Sequence, residues 1–142
     1  MTLINNKIHF ILLAAGNSTR FSKKDNKLLS KLNNKTLLDH NIDFILKQNF
    51  KKLTVVVDRK IKIEHKLKGL ELIKGGSTRQ ESVVNALTKS RYNASYVIIH
   101  DCARPLFFNQ LIKRIVRLIK TNKFDCIVPY SECSDTALFN GL

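Results

Sequence analysis

The sequence predicts an α/β fold in which a mostly parallel sheet is covered by helices on both faces. Short apolar runs recur along the chain and alternate with segments of helical periodicity. Strands without polar alternation are typical of parallel sheets that are buried on both sides. At 142 residues the chain is long enough for one domain with a sizeable core, and residues 1–142 are assigned to a single domain.

Five strands are predicted from apolar runs that end in small or polar residues. In chain order they are Lys7–Leu13, Leu53–Val57, Leu70–Ile73, Tyr96–Ile99 and Cys126–Val128. Right-handed crossovers place the carboxyl ends of parallel strands along one edge of the sheet, where such folds bind ligands. The loops that follow the first, third and fourth strands are therefore expected to lie close together.

Three helices are predicted from apolar residues three and four positions apart. They are Leu37–Leu46, Glu81–Leu87 and Leu111–Ile119. Thr36 is the expected N-cap of the first helix, with Asp39 in its first turn. The residues of the second helix that are expected to face the core are Val83, Val84 and Leu87.

Charge and composition narrow the class of partner. Lys and Arg number 25 against 11 Asp and Glu, so the net charge is +14 and an anionic partner is expected. The lysines are scattered, and with three Tyr, eight Phe and no Trp there are few aromatics to interleave with them. Nucleic-acid binders more often cluster their cations on one face, so we expect a small anionic substrate and no nucleic-acid partner.

The compartment is predicted from apolar segments and cysteines. The apolar run 10–15 is too short to span a bilayer, and the first residues do not resemble a signal peptide. Cys102, Cys126 and Cys133 lack metal-ligand spacing and are expected as reduced thiols that pack in the fold. We therefore expect a cytoplasmic protein with no membrane partner.

The loop after the first strand is a candidate phosphate site. Small residues at 14–16 let backbone N–H groups approach a phosphate chain, and Gly16 can adopt a positive φ. Arg20 adds a bidentate cation and Lys27 a point charge. A surface loop with two ordinary basic residues is the alternative, since the sequence matches neither a P-loop nor a dinucleotide fingerprint.

The loop after the third strand carries a glycine pair that runs into a helix start. Backbone N–H groups at helix N-termini bind anions, and Gly75 and Gly76 would let a planar ring lie against the backbone. A capping turn is the alternative. It would account for Ser77 or Thr78, but not for both glycines together with Arg79.

The loop after the fourth strand carries a carboxylate. Asp101 could bind Mg²⁺ together with substrate phosphates, because this ion often uses one carboxylate and keeps several waters. An ion pair between Asp101 and Arg104 is the alternative. His100 is expected to be structural and not a general base.

Together the three loops resemble those of the 2-C-methyl-D-erythritol 4-phosphate cytidylyltransferases, nucleotidyltransferases of the non-mevalonate isoprenoid pathway. The resemblance is carried by Leu13-Ala14-Ala15-Gly16 with Arg20 and Lys27, by Gly75-Gly76-x-x-Arg79-x-x-Ser82-Val83, and by His100-Asp101-x-Ala103-Arg104-Pro105. These motifs occur in family order and at family-like spacing. The resemblance implies a three-layer Rossmann-like nucleotidyltransferase fold with a mostly parallel sheet.

The resemblance also implies roles for individual residues in cytidylyl transfer from CTP to a small sugar-alcohol phosphate, 2-C-methyl-D-erythritol 4-phosphate. Arg20 and Lys27 would be catalytic and would stabilise charge on the α-phosphate. Arg104 and Thr136 would bind the acceptor, and Asp101 would bind the cofactor Mg²⁺. The residues that would contact the nucleotide are Ala14, Ala15, Gly16, Gly76, Ser77, Ser82 and Cys102.

Family members are longer than this chain, which is expected to correspond to the front part of one, incomplete at its C-terminal side. The full-length form would be a homodimer and could carry a second half that makes a cyclic diphosphate. Ser18, Asn26 and Leu28 stand where the family usually has glycine, proline and glutamine. A ribitol-5-phosphate cytidylyltransferase, which Ala103 disfavours, and an inactive fragment that only binds nucleotide are the alternatives.

Overall fold

A computed structural model describes residues 2–15, 28, 30–58, 70–104 and 109–130, and these alternate between strands and helices. In chain order the elements are α1 (Thr2–Asn5), β1 (Ile8–Ala14), β2 (Lys31–Leu32), β3 (Lys35–Thr36), α2 (Leu37–Lys47), β4 (Lys52–Val57), β5 (Leu70–Lys74), α3 (Arg79–Lys89), β6 (Tyr96–Asp101) and α4 (Asn109–Thr121). The predicted α/β class is confirmed.

In the described part of the chain the main sheet has four parallel strands, in the order β5-β4-β1-β6. Its register pairs Ala14 of β1 with Val57 on one side, and Leu13 with Asp101 on the other. The chain therefore builds outward from β1 to β5 and then returns to the opposite side of β1. Ligands of open α/β sheets bind where the strand order reverses in this way, beyond the carboxyl ends of the strands.

Alternate residues of β1 pack into two apolar cores, and all seven of its residues are buried. The larger core joins the sheet to α2 and α4 and includes Ile8, Phe10, Leu12, Leu53, Val55, Ile42, Ile45, Ile112 and Val116. The smaller core joins the sheet to α3 and consists of Ile11, Leu13, Val56 and Ala86, with Ala15 and Val83 against it. This burial on both faces explains the continuous apolar run of the first strand.

The start of α2 matches the sequence prediction. The Asp39 backbone N–H donates to Thr36 Oγ1 at 3.1 Å, and the Thr36 backbone N–H donates to Asp39 Oδ2 at 3.1 Å. This reciprocal pair is a capping box, which satisfies two backbone donors that the first helical turn leaves unpaired.

Among the described residues, four asparagines have positive φ values and lie in a turn or just after a helix. Asn33 and Asn34, at φ 50° and 63°, form the two-residue turn between β2 and β3. Asn49 and Asn122, at φ 60° and 51°, follow the ends of α2 and α4. Asparagine tolerates this left-handed region better than most residues, so it suits hairpin turns and helix ends.

Two predictions about elements are wrong. Residues 126–128 are not a strand, because no neighbouring strand pairs with them in the described part of the chain; Ile127 packs on the larger core while Cys126 and Val128 are exposed. In α3, Val84 and Leu87 are 55% and 48% exposed. The helix begins at Arg79, and its small residues Ser82 and Ala86, four positions apart, face the sheet instead.

Candidate functional site

The loops after β5 and β6 meet Ala15, the described start of the loop after β1, at the carboxyl edge of the sheet. The Cys102 backbone N–H donates to the Leu13 carbonyl at 2.9 Å, which ties the end of β6 to β1. The Gly75 backbone N–H donates to the Val57 carbonyl at 3.0 Å, which returns the loop after β5 to the end of β4. The carboxyl ends of β1, β5 and β6 thus share one edge, beside the strand-order reversal.

Gly75 lets the loop after β5 pack directly on the end of β1. A Cβ atom at this position would lie 2.3 Å from the Cβ of Ala15 and 3.1 Å from Ser82 Oγ. A side chain therefore cannot be added without moving the two segments apart. Ala15 itself is half-buried, and Ala14 is fully buried in the strand.

Gly76 and Ser77 are fixed by Glu81, a residue of the first turn of α3. A Cβ atom on Gly76 would lie 2.2 Å from the Cβ of Glu81. The side-chain hydroxyl and the backbone N–H of Ser77 both donate to Glu81 Oε2, each at 2.6 Å. These two hydrogen bonds lower the pKa of Glu81, so the loop is held by a charged carboxylate at neutral pH.

Ser82, a buried residue of α3, also holds the Gly75-Gly76 loop. Its buried hydroxyl donates to the Thr78 carbonyl at 2.9 Å and accepts from the Gly76 backbone N–H at 3.1 Å. Thr78 is the N-cap of α3, with its hydroxyl accepting from the Glu81 backbone N–H at 3.0 Å. The capping alternative is therefore realised by Thr78, and both glycines serve close packing as well.

Asp101 is bracketed by two guanidinium groups. Arg79 Nε donates to Asp101 Oδ1 at 3.0 Å, and Arg104 Nε lies 3.7 Å from Oδ2. The ion pair with Arg104 was one of the two alternatives for this loop, whereas the partner from α3 was missed. Arg79 stood in the quoted motif, but nothing in one sequence indicates that a helix start reaches the end of β6.

His100 and Cys102 stabilise the loop after β6. The His100 Nε2 atom lies 2.9 Å from the Arg104 carbonyl, and since a carbonyl only accepts, Nε2 carries the hydrogen. Burial lowers the pKa of His100, which keeps the ring neutral. These contacts agree with a structural role for His100.

The Cys102 side chain is fully buried in the larger core. Burial raises the pKa of its thiol to about 12, so it is protonated at neutral pH. The Cys102 carbonyl accepts from Asn41 Nδ2 at 3.1 Å, and its N–H binds Leu13. A contact between Cys102 and a nucleotide stays a prediction, as do the nucleotide contacts of Ser77 and Ser82.

Metal binding at this edge depends on one carboxylate. The described residues contain no group of three or more His, Cys, Asp or Glu side chains that could hold a metal ion. Asp101, with a side chain 29% exposed, lies at the edge where substrate phosphates would lie. Because Mg²⁺ often combines one carboxylate with phosphate oxygens and waters, Asp101 fits this ion only together with a phosphorylated ligand.

Several predicted positions lie outside the described residues. These are Gly16, Arg20, Lys27 and Thr136, together with Ser18, Asn26 and Cys133. Leu28 is described and is buried in the larger core, which accounts for an apolar residue at this position. In the described part of the chain no helix has the length and apolarity needed to cross a membrane.

Comparison with known proteins supports the resemblance. The sequence matches the family model for IspD, 2-C-methyl-D-erythritol 4-phosphate cytidylyltransferase, over residues 8–137. A bifunctional IspD/IspF enzyme from Pelagibacter ubique is 39% identical over 132 residues, which cover 89% of this chain and 35% of that relative. A 2-C-methyl-D-erythritol 4-phosphate cytidylyltransferase from Thermosipho melanesiensis is 32% identical over 140 residues, which cover 91% of this chain and 60% of that relative.

A solved structure gives the same result for the fold. The bifunctional IspDF from Campylobacter jejuni superimposes with a TM-score of 0.81 at 34% identity, over 95% of this chain and 36% of that one. The predicted nucleotidyltransferase architecture is thereby confirmed. This chain spans about a third of the length of both bifunctional relatives.

Proposed function

The chain belongs to the 2-C-methyl-D-erythritol 4-phosphate cytidylyltransferase (IspD) family, and from that premise we propose that it transfers the cytidylyl group of CTP to 2-C-methyl-D-erythritol 4-phosphate. A phosphate oxygen of the acceptor attacks the α-phosphorus and forms the new P–O bond. The bond to the β-phosphate breaks, and pyrophosphate leaves. The observation that carries the proposal is the meeting of Ala15, the Gly75-Gly76 loop and Asp101 at one sheet edge.

The glycine loop supplies a preorganised surface for the base. Ser82 accepts from the Gly76 backbone N–H, and Glu81 accepts from both the backbone N–H and the hydroxyl of Ser77, so little ordering remains when a ligand binds. The absence of side chains on Gly75 and Gly76 lets this backbone pack directly on Ala15 and Glu81, which fixes the surface against which a flat ring would lie. We therefore assign the cytosine ring to this loop.

The charged residues at the edge suit the phosphate groups. Arg104, whose side chain is 80% exposed, can offer its guanidinium fork to the acceptor phosphate. On the family resemblance, Arg20 and Lys27 stabilise the charge that develops on the α-phosphate, and Thr136 contacts the acceptor. Mg²⁺, when bound, neutralises phosphate charge, and Asp101 is the residue that would hold it.

The nucleotide is tested first, by thermal unfolding of the 1–142 chain. CTP with Mg²⁺ is expected to raise the unfolding temperature more than ATP with Mg²⁺, because binding to the folded state stabilises it. Equal shifts with the two nucleotides would contradict the cytidine assignment.

The reaction is tested by pyrophosphate release with CTP, Mg²⁺ and either acceptor. Release that requires methylerythritol phosphate supports the proposal, whereas release with ribitol 5-phosphate alone favours the related enzyme, and CTP binding without release favours the inactive fragment. Lys27→Ala should lower kcat about 10²–10³-fold, as expected when one preorganised cation is removed from developing charge. Lys120→Ala, an exposed lysine of α4, is the matched control and should leave kcat unchanged.

A further inference from the structure

Arg79 holds the Asp101 carboxylate, and the proposed reaction assigns it no role. Arg79 is the first residue of α3, and Asp101 is the last residue of β6. Their 3.0 Å hydrogen bond therefore joins the start of α3, which follows the Gly75-Gly76 loop, to the end of β6. The Arg79 side chain is 58% exposed, so its contact with Asp101 can be broken and remade without unpacking the core.

The approach of Arg79 to Asp101 is set by a rigid base. Thr78 caps the helix immediately before Arg79, and the Thr78 carbonyl accepts from the buried Ser82 hydroxyl. Arg104 approaches the other oxygen, Oδ2, but at 3.7 Å it is beyond hydrogen-bond distance. Arg79 is thus the residue that binds the Asp101 carboxylate by a directed hydrogen bond.

We propose that Arg79 and a divalent cation compete for Asp101 Oδ1, so that Arg79 occupies this carboxylate until a nucleotide binds. A cation on Oδ1 would take the position of the Nε hydrogen and would stand beside a guanidinium of the same charge. A nucleotide triphosphate removes this conflict, because its oxygens both bind the cation and offer the displaced Arg79 a bidentate partner. Arg79 is in this sense a positioning residue.

This competition determines whether the cation binds alone or together with the nucleotide. A bare divalent cation must displace Arg79 without offering it another anion, whereas a cation that arrives with a triphosphate supplies one. The chain should therefore bind free divalent cations poorly at Asp101 and accept them with the nucleotide. This inference rests on the proposed function only for the identity of the nucleotide.

The test measures cation binding without nucleotide and without activity. Mn²⁺ is titrated into the isotopically labelled 1–142 chain, and paramagnetic broadening is followed at the backbone amides of Asp101 and Cys102. Arg79→Gln should reach half-broadening at an Mn²⁺ concentration lower by about five-fold or more, a change typical of coupled binding sites. Arg117→Gln removes the same charge from the exposed face of α4 and should behave as the wild type.

Two further variants distinguish competition at Asp101 from a general change in the charge or structure of the carboxyl edge. Arg79→Gln combined with Asp101→Asn should lose the gain, because the carboxylate itself is gone. Arg79→Lys keeps the charge without the directed Nε hydrogen and should fall between wild type and Arg79→Gln. Unchanged or weaker broadening in both Arg79→Gln and Arg79→Lys would overturn the proposal.

This outcome is independent of the CTP experiments. If CTP fails to stabilise the chain while removing Arg79 strengthens Mn²⁺ binding, the proposed function is wrong and the competition between Arg79 and the cation is supported. If CTP binds and turns over but removing Arg79 does not strengthen Mn²⁺ binding, the proposed competition is wrong and the proposed function is supported.

Discussion

The two ends of the sheet are both polar, but they use their polar groups in opposite ways. At the carboxyl edge, Arg79 and Arg104 keep most of their side-chain surface in water around Asp101. At the amino end a cluster of four residues, the amino-end cluster, joins β1, β4 and β5 to the end of α3. Its members are His9, Thr54, Glu71 and Ser90.

The hydrogens of the amino-end cluster are all assigned by its geometry. Thr54 Oγ1 donates to Glu71 Oε2 at 3.0 Å, and Ser90 Oγ donates to the same oxygen at 2.7 Å. Because the Thr54 hydroxyl has one hydrogen, His9 Nε2, at 2.8 Å from Thr54 Oγ1, must be the donor of that pair. Burial lowers the pKa of His9, which favours the neutral ring that this arrangement needs.

Glu71 is the charged residue of the amino-end cluster and accepts hydrogen bonds from Thr54 and Ser90. Burial alone would raise its pKa, but hydrogen bonds from Ser90, the Arg91 backbone and Thr54 together lower it. The groups that donate to Glu71 all belong to the protein, whereas the guanidinium groups of Arg79 and Arg104 at the opposite end are 58% and 80% exposed. We therefore expect the amino end to contribute mainly to stability, and the proposed ligand site lies at the carboxyl edge.

The largest expected effect is at the carboxyl edge and comes from packing, not charge. Gly75→Ala should lower the free energy of unfolding by about 3 kcal/mol, the upper part of the range for overpacking, because its Cβ would lie 2.3 Å from that of Ala15. CTP binding should weaken as well, since the loop must move. Denaturant unfolding and calorimetry measure both quantities.

The double variant Ala15→Gly/Gly75→Ala is the control, because it moves the methyl group from one side of this contact to the other. It should recover part of the lost stability relative to Gly75→Ala alone. No recovery would show that the contact between Ala15 and the loop is not what makes glycine necessary.

At the amino end the expected effect falls on stability alone. Thr54→Val keeps the shape but leaves His9 Nε2 and one Glu71 oxygen short of a partner, which should lower the free energy of unfolding by about 2 kcal/mol. The CTP-induced shift in unfolding temperature should be unchanged. Thr88→Val, on the exposed face of α3, is the matched control and should change stability by less than about 0.5 kcal/mol. A loss of CTP binding in Thr54→Val would break the proposed separation of roles.

A smaller effect is expected from pH. His9 is buried and His100 is partly buried, and this burial places the pKa of both below the usual value for histidine, so the unfolded chain binds protons more readily. Stability should therefore fall as the pH drops from 7.5 to 5.5, a window above the titration of carboxyl groups. His9→Gln, which retains a donor, should flatten this dependence in urea unfolding. An undiminished slope in that variant would place the effect elsewhere.

The smallest effect on stability is expected from Arg104→Gln. Its guanidinium lies 3.7 Å from Asp101 and is largely exposed, so its loss should change the free energy of unfolding by less than about 0.5 kcal/mol. The same variant should raise the KM for the acceptor phosphate if Arg104 binds it. A destabilisation as large as that of Thr54→Val would mean that the carboxyl edge is also held together by its charges.

Much of this arrangement follows from local sequence rules. Burial on both faces of β1 produces an unbroken apolar run, and the Thr36–Asp39 pair marks the start of α2 without tertiary information. In these two cases the signal lies in neighbouring residues of the chain. The meeting of the Gly75-Gly76 loop with the end of β1 at one edge was predictable as well, because parallel strands end on the same side of a sheet.

The misses depend on partners that are distant in the chain. A strand at 126–128 needed a paired neighbour that apolarity alone does not guarantee. The inward face of α3 depended on how closely the helix packs on the sheet, which buries the small residues Ser82 and Ala86. The amino-end cluster joins residues up to 81 positions apart, because hydrogen bonds link His9 to Thr54, Thr54 to Glu71 and Glu71 to Ser90. The Asn33-Asn34 turn was not predicted, although asparagine's tolerance of positive φ is a local signal for a two-residue turn.

The position of β1 in the sheet also bears on how the chain folds during synthesis. β6 starts at Tyr96, about 80 residues after β1 ends at Ala14, so translation at about 5–20 residues per second separates the two by on the order of 10 s. Over this interval β4 and β5 can join one side of β1 while its other edge has no partner. The arrival of β6 from the ribosome, and not the speed of local contacts, would then set when this domain can close.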